Sequence, residues 1–188
     1  MISPVGISLI AGAVVVVIVF AAIAIYNKLV RSRKEVDNAW SQIDVQLKRR
    51  CDLIPNLVES VKGYAAHESG VFERVTKARG EAMAARGADD RIAAENQLGG
   101  ALRGLMVQLE AYPELKANTN FLQLQEELSS TENKISFARQ YYNDTATGYN
   151  TAIAVFPAVV FAGMFGFRAA ELWQITDAAE REAPKVKF

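Results

Sequence analysis

What this 188-residue chain lacks narrows its function before any motif is considered. It has one cysteine, Cys51, so no disulfide can close within the chain and no cysteine cluster can hold a metal. Its one histidine, His67, cannot build a multi-histidine metal site within one chain. The 21 basic and 21 acidic residues cancel, which removes the basic surplus expected of a nucleic-acid binder. There is no G-x-S-x-G, no P-loop, no glycine-rich dinucleotide loop and no H-E-x-x-H. Strand-like alternation of useful length is missing, and only five prolines interrupt a chain rich in Ala, Leu, Glu, Gln, Lys and Arg. The expectation is an all-α protein with no catalytic, cofactor-binding or metal-binding residues.

The largest presence is apolar. No charged side chain occurs from Met1 to Asn27, and Val5 to Ile25 is almost wholly hydrophobic. Those residues make about 31 Å of helix at roughly 1.5 Å per residue, close to the ~30 Å hydrocarbon core of a bilayer. A cleaved signal peptide would compete, because Ala22-Ile23-Ala24 resembles a cleavage site. The basic cluster, however, follows the apolar run rather than preceding it. The segment is therefore expected to be a retained transmembrane helix over residues 5–26, after a short extracytoplasmic stretch, residues 1–4. Lys28, Arg31, Arg33 and Lys34 form a basic collar that the positive-inside rule places in the cytoplasm, against the lipid head groups. Tyr26 suits the interfacial aromatic position, and Ser8-x-x-x-Gly12 is a weak small-residue motif for anchor pairing. This reading gives a single-pass protein of a bacterial cytoplasmic membrane, with its amino terminus outside.

Beyond the collar, Val36, Trp40, Ile43, Leu47, Cys51, Ile54, Val58 and Val61 recur at steps of three and four. Such a stripe needs partner helices to cover it. No breaker lies between Ile25 and Pro55, so the anchor should run straight into the first bundle helix. Pro55 should kink that helix near Arg50 and Cys51 rather than stop it, since the pattern resumes after it. A second helix is expected from an N-cap at Ser69, and a turn at Gly87-Ala88-Asp89-Asp90 precedes a third carrying Leu98, Leu102, Leu105, Leu109 and Tyr112. Gly99, Gly100 and Gly104 weaken that helix, and close helix contact is the expected reason for them. Asn118-Thr119-Asn120 supplies N-cap candidates, and Asn120 with Gln123 has capping-box spacing. The seam that follows, Phe121, Leu124, Leu128, Thr131, Ile135, Ala138, Tyr142, Thr145 and Tyr149, is long enough for coiled-coil-like packing along the first stripe. The architecture expected over residues 27–176 is a long antiparallel bundle of four to five helices, continuous with the anchor.

Val155 to Phe167 forms a second apolar run, too short to span a bilayer. Its length suits a short last helix starting at Pro157 and packed on the bundle. The alternative is a surface for another subunit or for the membrane, through Val155, Phe156, Val159, Phe161, Phe165 and Phe167. Residues 177–188 read as a flexible charged tail.

A Cys–His pair is excluded, because Cys51 and His67 lie about 24 Å apart along a helix. Cys51 reads as a small core residue and His67 as a group near a helix end. Asp44, Arg50, Asn56, Glu132, Asn133 and Arg139 lie close to the seams. Register control across the bundle, with Glu132 or Asn133 facing Arg50, is the role expected of such a polar set.

The runs AWSQIDVQLKRRCDLIPNLVESVKGYAAHE and EAYPELKANTNFLQLQEELSSTENKISFARQYYN, followed by YNTAIAVFP, resemble the LemA family from Tyr26 to about Trp173. The resemblance implies one membrane helix with a cytoplasmic helical domain, and it brings no established activity or catalytic residues. A magnetosome-formation protein belongs to the same family, so membrane organisation is the role implied by analogy. The expected function is a non-enzymatic, membrane-anchored scaffold that self-associates, with membrane lipids as partners and without cofactor or nucleic acid. A membrane-tethered sensor or adaptor acting on a cytoplasmic partner is the alternative.

Overall fold

The computed structural model describes residues 4–64 and 68–174, with side chains omitted at residues 4–8 and at Lys116. His67 and the tail at 177–188 lie outside the described residues. Every element among the described residues is helical. In order they are α1 (Pro4–Lys62), α2 (Ser69–Ala84), α3 (Ala88–Leu109), a 3-10 turn (Pro113–Ala117), α4 (Thr119–Ala154) and α5 (Ala158–Phe165).

The anchor and the first bundle helix are one element, the 59-residue α1, because nothing between Ile25 and Pro55 breaks it. Pro55 lies inside α1 and cannot donate to the carbonyl of Cys51, four residues earlier. Arg79 of α2 occupies that position instead, its Nε donating to the Cys51 carbonyl at 2.7 Å. The orphaned acceptor is thus satisfied by a neighbouring helix.

Contacts divide the chain into two units. One comprises residues 41–141 with 173–174, and its core joins the lower part of α1 to α2, α3 and the start of α4. Ile54, Leu57, Val61, Val75, Leu98, Leu105 and Leu115 are almost completely buried there. α2 is capped one position earlier than expected, with Glu68 as N-cap and Ser69 already helical. Gly87, at a φ of 85°, opens α3, and Asp89 and Asp90 occupy the first turn, where carboxylates favour the helix dipole. At α4 the cap is Asn118, the first of the three candidates: Asn118 Oδ1 accepts from the backbone N–H of Asn120 (3.0 Å) and Phe121 (3.2 Å). The glycine expectation is also corrected. A methyl group at Gly99 or Gly100 would meet only ordinary contacts, and one at Gly104 would meet open space, so no helix approaches them closely.

The other unit comprises residues 4–40 of α1, 142–154 of α4 and the chain through 172. Here α1 and α4 run antiparallel: Trp40 meets Tyr142 edge to face at 5.3 Å, and farther up Tyr26 meets Phe165 at 5.0 Å and Phe167 at 5.8 Å. α5 departs from α4 at 99°. Gly166, at a φ of 69°, ends α5, and Phe167 donates back to the Ala162 carbonyl at 3.0 Å. The chain then returns along α4. Asn150 holds Ala170 by two hydrogen bonds, 2.7 and 2.9 Å, and Tyr142 Oη donates to the Glu171 carbonyl at 2.6 Å.

Candidate functional site

A charged cluster lies inside the unit of residues 41–141. Arg50 of α1 and Glu95 of α3 are both fully buried. Arg50 Nη1 donates to Glu132 of α4 at 2.8 and 3.1 Å, and Nη2 donates to the Glu95 carboxylate and to the Glu95 carbonyl at 3.2 Å. Arg91, one turn before Glu95, donates to it through Nε at 2.9 Å and reaches Asp44 at 3.4 Å. Three helices are therefore tied through a single guanidinium. Burial alone would lower the pKa of Arg50, but Glu132 and Glu95 outweigh it and hold the group above its ordinary value.

The cluster brings Asp44, Arg50 and Glu132 of the expected polar set together and adds Arg91 and Glu95, which sequence reasoning missed. Their signal was present. Ile92, Glu95 and Leu98 continue the α3 stripe backward in steps of three, which places a carboxylate on a buried seam. Asn56 and Asn133 correct the expectation: both are exposed and lie outside the cluster, because each falls two positions past a seam residue and so points away. Arg139 sits over the indole of Trp173, 4.4 Å from its centroid, and that indole donates to Asn96 at 3.2 Å.

Chemically, the arrangement neutralises rather than activates. Each buried carboxylate faces a guanidinium. Burial pushes the Cys51 thiol up, with Glu95 adding to the effect, so the thiol stays protonated. Beside Glu132 lies a cleft of about 550 Å³ between α3 and α4, lined by Leu102, Arg103, Met106, Glu110 and Leu128 among others. On the face made by α1 and α4, Val45, Phe137 and Tyr141 line a second, more open groove of about 500 Å³. All three are exposed, Phe137 the most at 73%. Among the described residues, no three acidic, histidine or cysteine side chains converge as metal ligands.

The membrane-directed features lie in the other unit. α1 is long and apolar enough to cross a bilayer, and the side chains from Leu9 to Phe20 are exposed. Lys28, Arg31, Arg33 and Lys34 are exposed just below them. The expectation that residues 155–167 pack as a core helix is corrected. Val155, Phe156, Val159, Val160, Met164 and Phe165 are exposed, and within α5 only Ala162 is buried. Phe161 and Phe167 are half-buried.

The LemA family model matches residues 39–188, which spans the bundle and everything after it. This chain belongs to the LemA family. It is 31% identical over 132 residues to Protein LemA of Metamycoplasma hominis, an alignment covering 69% of this chain and 60% of that protein. It is 25% identical to Magnetosome protein MamQ 2 of Paramagnetospirillum magneticum, covering 82% of this chain and 66% of the relative. Magnetosome protein MamQ of Magnetospirillum gryphiswaldense matches over the same span at 24% identity. The chain thus spans somewhat less than two thirds of the length of these LemA and MamQ proteins. Family membership and the apolar α1 together describe a membrane-associated helical protein.

Proposed function

We propose that this protein is a non-enzymatic scaffold, anchored in the bacterial cytoplasmic membrane by residues 5–26, that self-associates through its helical part and organises membrane. The observation that carries the reading is α1, one helix with a lipid-compatible surface at one end and a buried core stripe at the other. A continuous helix joins the anchor to the first bundle helix, which suits a structural role. The basic collar orients the bundle toward the cytoplasm. The exposed α1–α4 patch of Val45, Phe137 and Tyr141 supplies an apolar surface on which a second copy can dock in a self-complementary way. Relatives named as magnetosome proteins support a part in membrane organisation. The neutralised charge cluster supports the absence of a reaction.

Mass photometry of the full chain in mild detergent tests this reading. A discrete oligomer that falls to monomer with Phe137→Asp, helicity unchanged, is the expected result. A wild-type monomer at all concentrations rules it out. The cleft beside Glu132 favours a second reading, an adaptor that receives a cytoplasmic partner between α3 and α4. Crosslinking in cells separates them: self-crosslinks through the Phe137 face support the scaffold, and heterologous crosslinks at Met106 support the adaptor.

A further inference from the structure

We infer that α5 is an interfacial wedge, an apolar helix lying in the plane of the membrane and seated in the same leaflet that receives the end of the anchor. The inference rests on the anchored reading of α1 and adds a second, independent membrane contact. Its geometry comes from three facts within one unit. α4 ascends antiparallel to α1 from Tyr142, beside Trp40, toward the level of Tyr26. Tyr26 packs edge to face on Phe165 and Phe167, so α5 ends at the depth where the apolar run of α1 gives way to its cations. α5 turns 99° from α4, so an α4 standing along the membrane normal leaves α5 nearly parallel to the bilayer surface.

The chemistry of α5 matches that placement. Its sequence, AVVFAGMF, contains no polar side chain. Phe156, just before it, is 82% exposed and Met164 within it is 73% exposed. A helix of eight residues is about 12 Å long, far too short to cross. In the interface, the same helix would bury its apolar face about 5–10 Å into the boundary between head groups and acyl chains. Lipid is the occupant chosen here over a second copy for two reasons. The exposed face continues the lipid-compatible surface of α1 through Tyr26. Cations also lie near its C-terminal end, Lys28 and Arg31 just past Tyr26 in α1 and Arg168 next to Phe167, all exposed and all suited to anionic head groups.

Single cysteines in a Cys51→Ser background of the full chain test the wedge, each carrying a nitroxide and reconstituted in vesicles containing one anionic lipid. The sites are Phe156→Cys, Met164→Cys, Val17→Cys as an anchor control and Gln140→Cys as a water control. Collision with oxygen is compared with collision with a water-soluble nickel chelate. The expected result is an oxygen-to-nickel ratio several-fold higher at Phe156 and Met164 than at Gln140, and lower than at Val17. A lipid-like Val17 with water-like Phe156 and Met164 overturns the wedge and leaves the anchor standing. A water-like Val17 overturns the anchor itself. Spin–spin broadening at Met164 that disappears on dilution with unlabelled chain assigns the face to a second copy and also overturns the wedge.

Discussion

Val17 and Val45 are the same residue in the same helix and are almost equally exposed, at 66% and 64%. Their surroundings differ completely. Val17 stands in a sleeve of exposed Val, Ile and Phe from Leu9 to Phe20, whereas Val45 lies on a segment that buries Ile43, Leu47 and Ile54 on its other side. The upper part of α1 turns apolar groups outward and has no charge before Lys28. The lower part turns a guanidinium inward, at Arg50, and seals it with carboxylates from two other helices. Solvent accounts for the contrast: hydrocarbon rewards an apolar exterior, whereas water permits polar surfaces and admits a buried charge only when partners replace its hydration. One continuous element is thus written in two chemical languages, and the change between them occurs over Tyr26 to Lys34.

The comparison can be broken most sharply at Arg50. Arg50→Met leaves Glu95 with Arg91 alone and takes the guanidinium from the partly exposed Glu132, so the cost falls toward the lower end of the about 3–5 kcal/mol typical of a broken buried pair. Denaturant unfolding of the full chain in detergent, followed by circular dichroism, should show that loss. Adding Glu95→Leu should restore part of it, since a cluster acting as a unit is not additive. Next come the two valines. Val17→Arg puts a charge within the proposed bilayer segment at roughly 2.5–3.5 kcal/mol and should release a fraction of the protein from membranes on carbonate extraction. Val45→Arg should leave membrane retention unchanged and reduce only self-association. Equal behaviour of the two would end the contrast drawn between the halves of α1.

Smaller effects refine the lower half. Arg79→Met returns the Cys51 carbonyl to an unsatisfied state and should cost about 1–3 kcal/mol in the same unfolding experiment. Gly104→Ala should act in the opposite direction, raising stability by about 0.5–1 kcal/mol, because the added methyl meets open space on an exposed helix. Cys51 gives the smallest signal. Its thiol pKa is raised in the folded chain, so its contribution to stability is full below the unfolded thiol pKa and declines as pH rises through the folded value. Maleimide labelling at mildly alkaline pH should therefore be slow in the native protein and fast after unfolding.

Much of this was legible in the residues because helix burial has a period. The steps of three and four from Val36 to Val61 and from Phe121 to Tyr149 located α1 and α4, and the core follows them. Cap positions were less legible, since Asn118 and Asn120 both carry the required carboxamide and only the backbone decides between them. Glu95 is not legible from apolar periodicity alone, since a carboxylate standing on a seam of large apolar residues ordinarily reads as a solvated group. Asn56 and Asn133 are near a seam in sequence but not in angle around the helix, and the angle is what counts. The exposure of α5 was hidden for another reason. Its composition suits a protein core and an exposed surface equally, and only the 99° turn at its start and the exposure that follows distinguish them.

The bond from Arg79 to the Cys51 carbonyl has a mechanical consequence. A proline leaves a notch in the helical ladder through which water can enter and the axis can flex, and here a side chain from next door plugs it. The stiffness of α1 over its last two turns or so is therefore on loan from α2. Anything that unseats α2, whether a bound protein or a substitution, would slacken those turns.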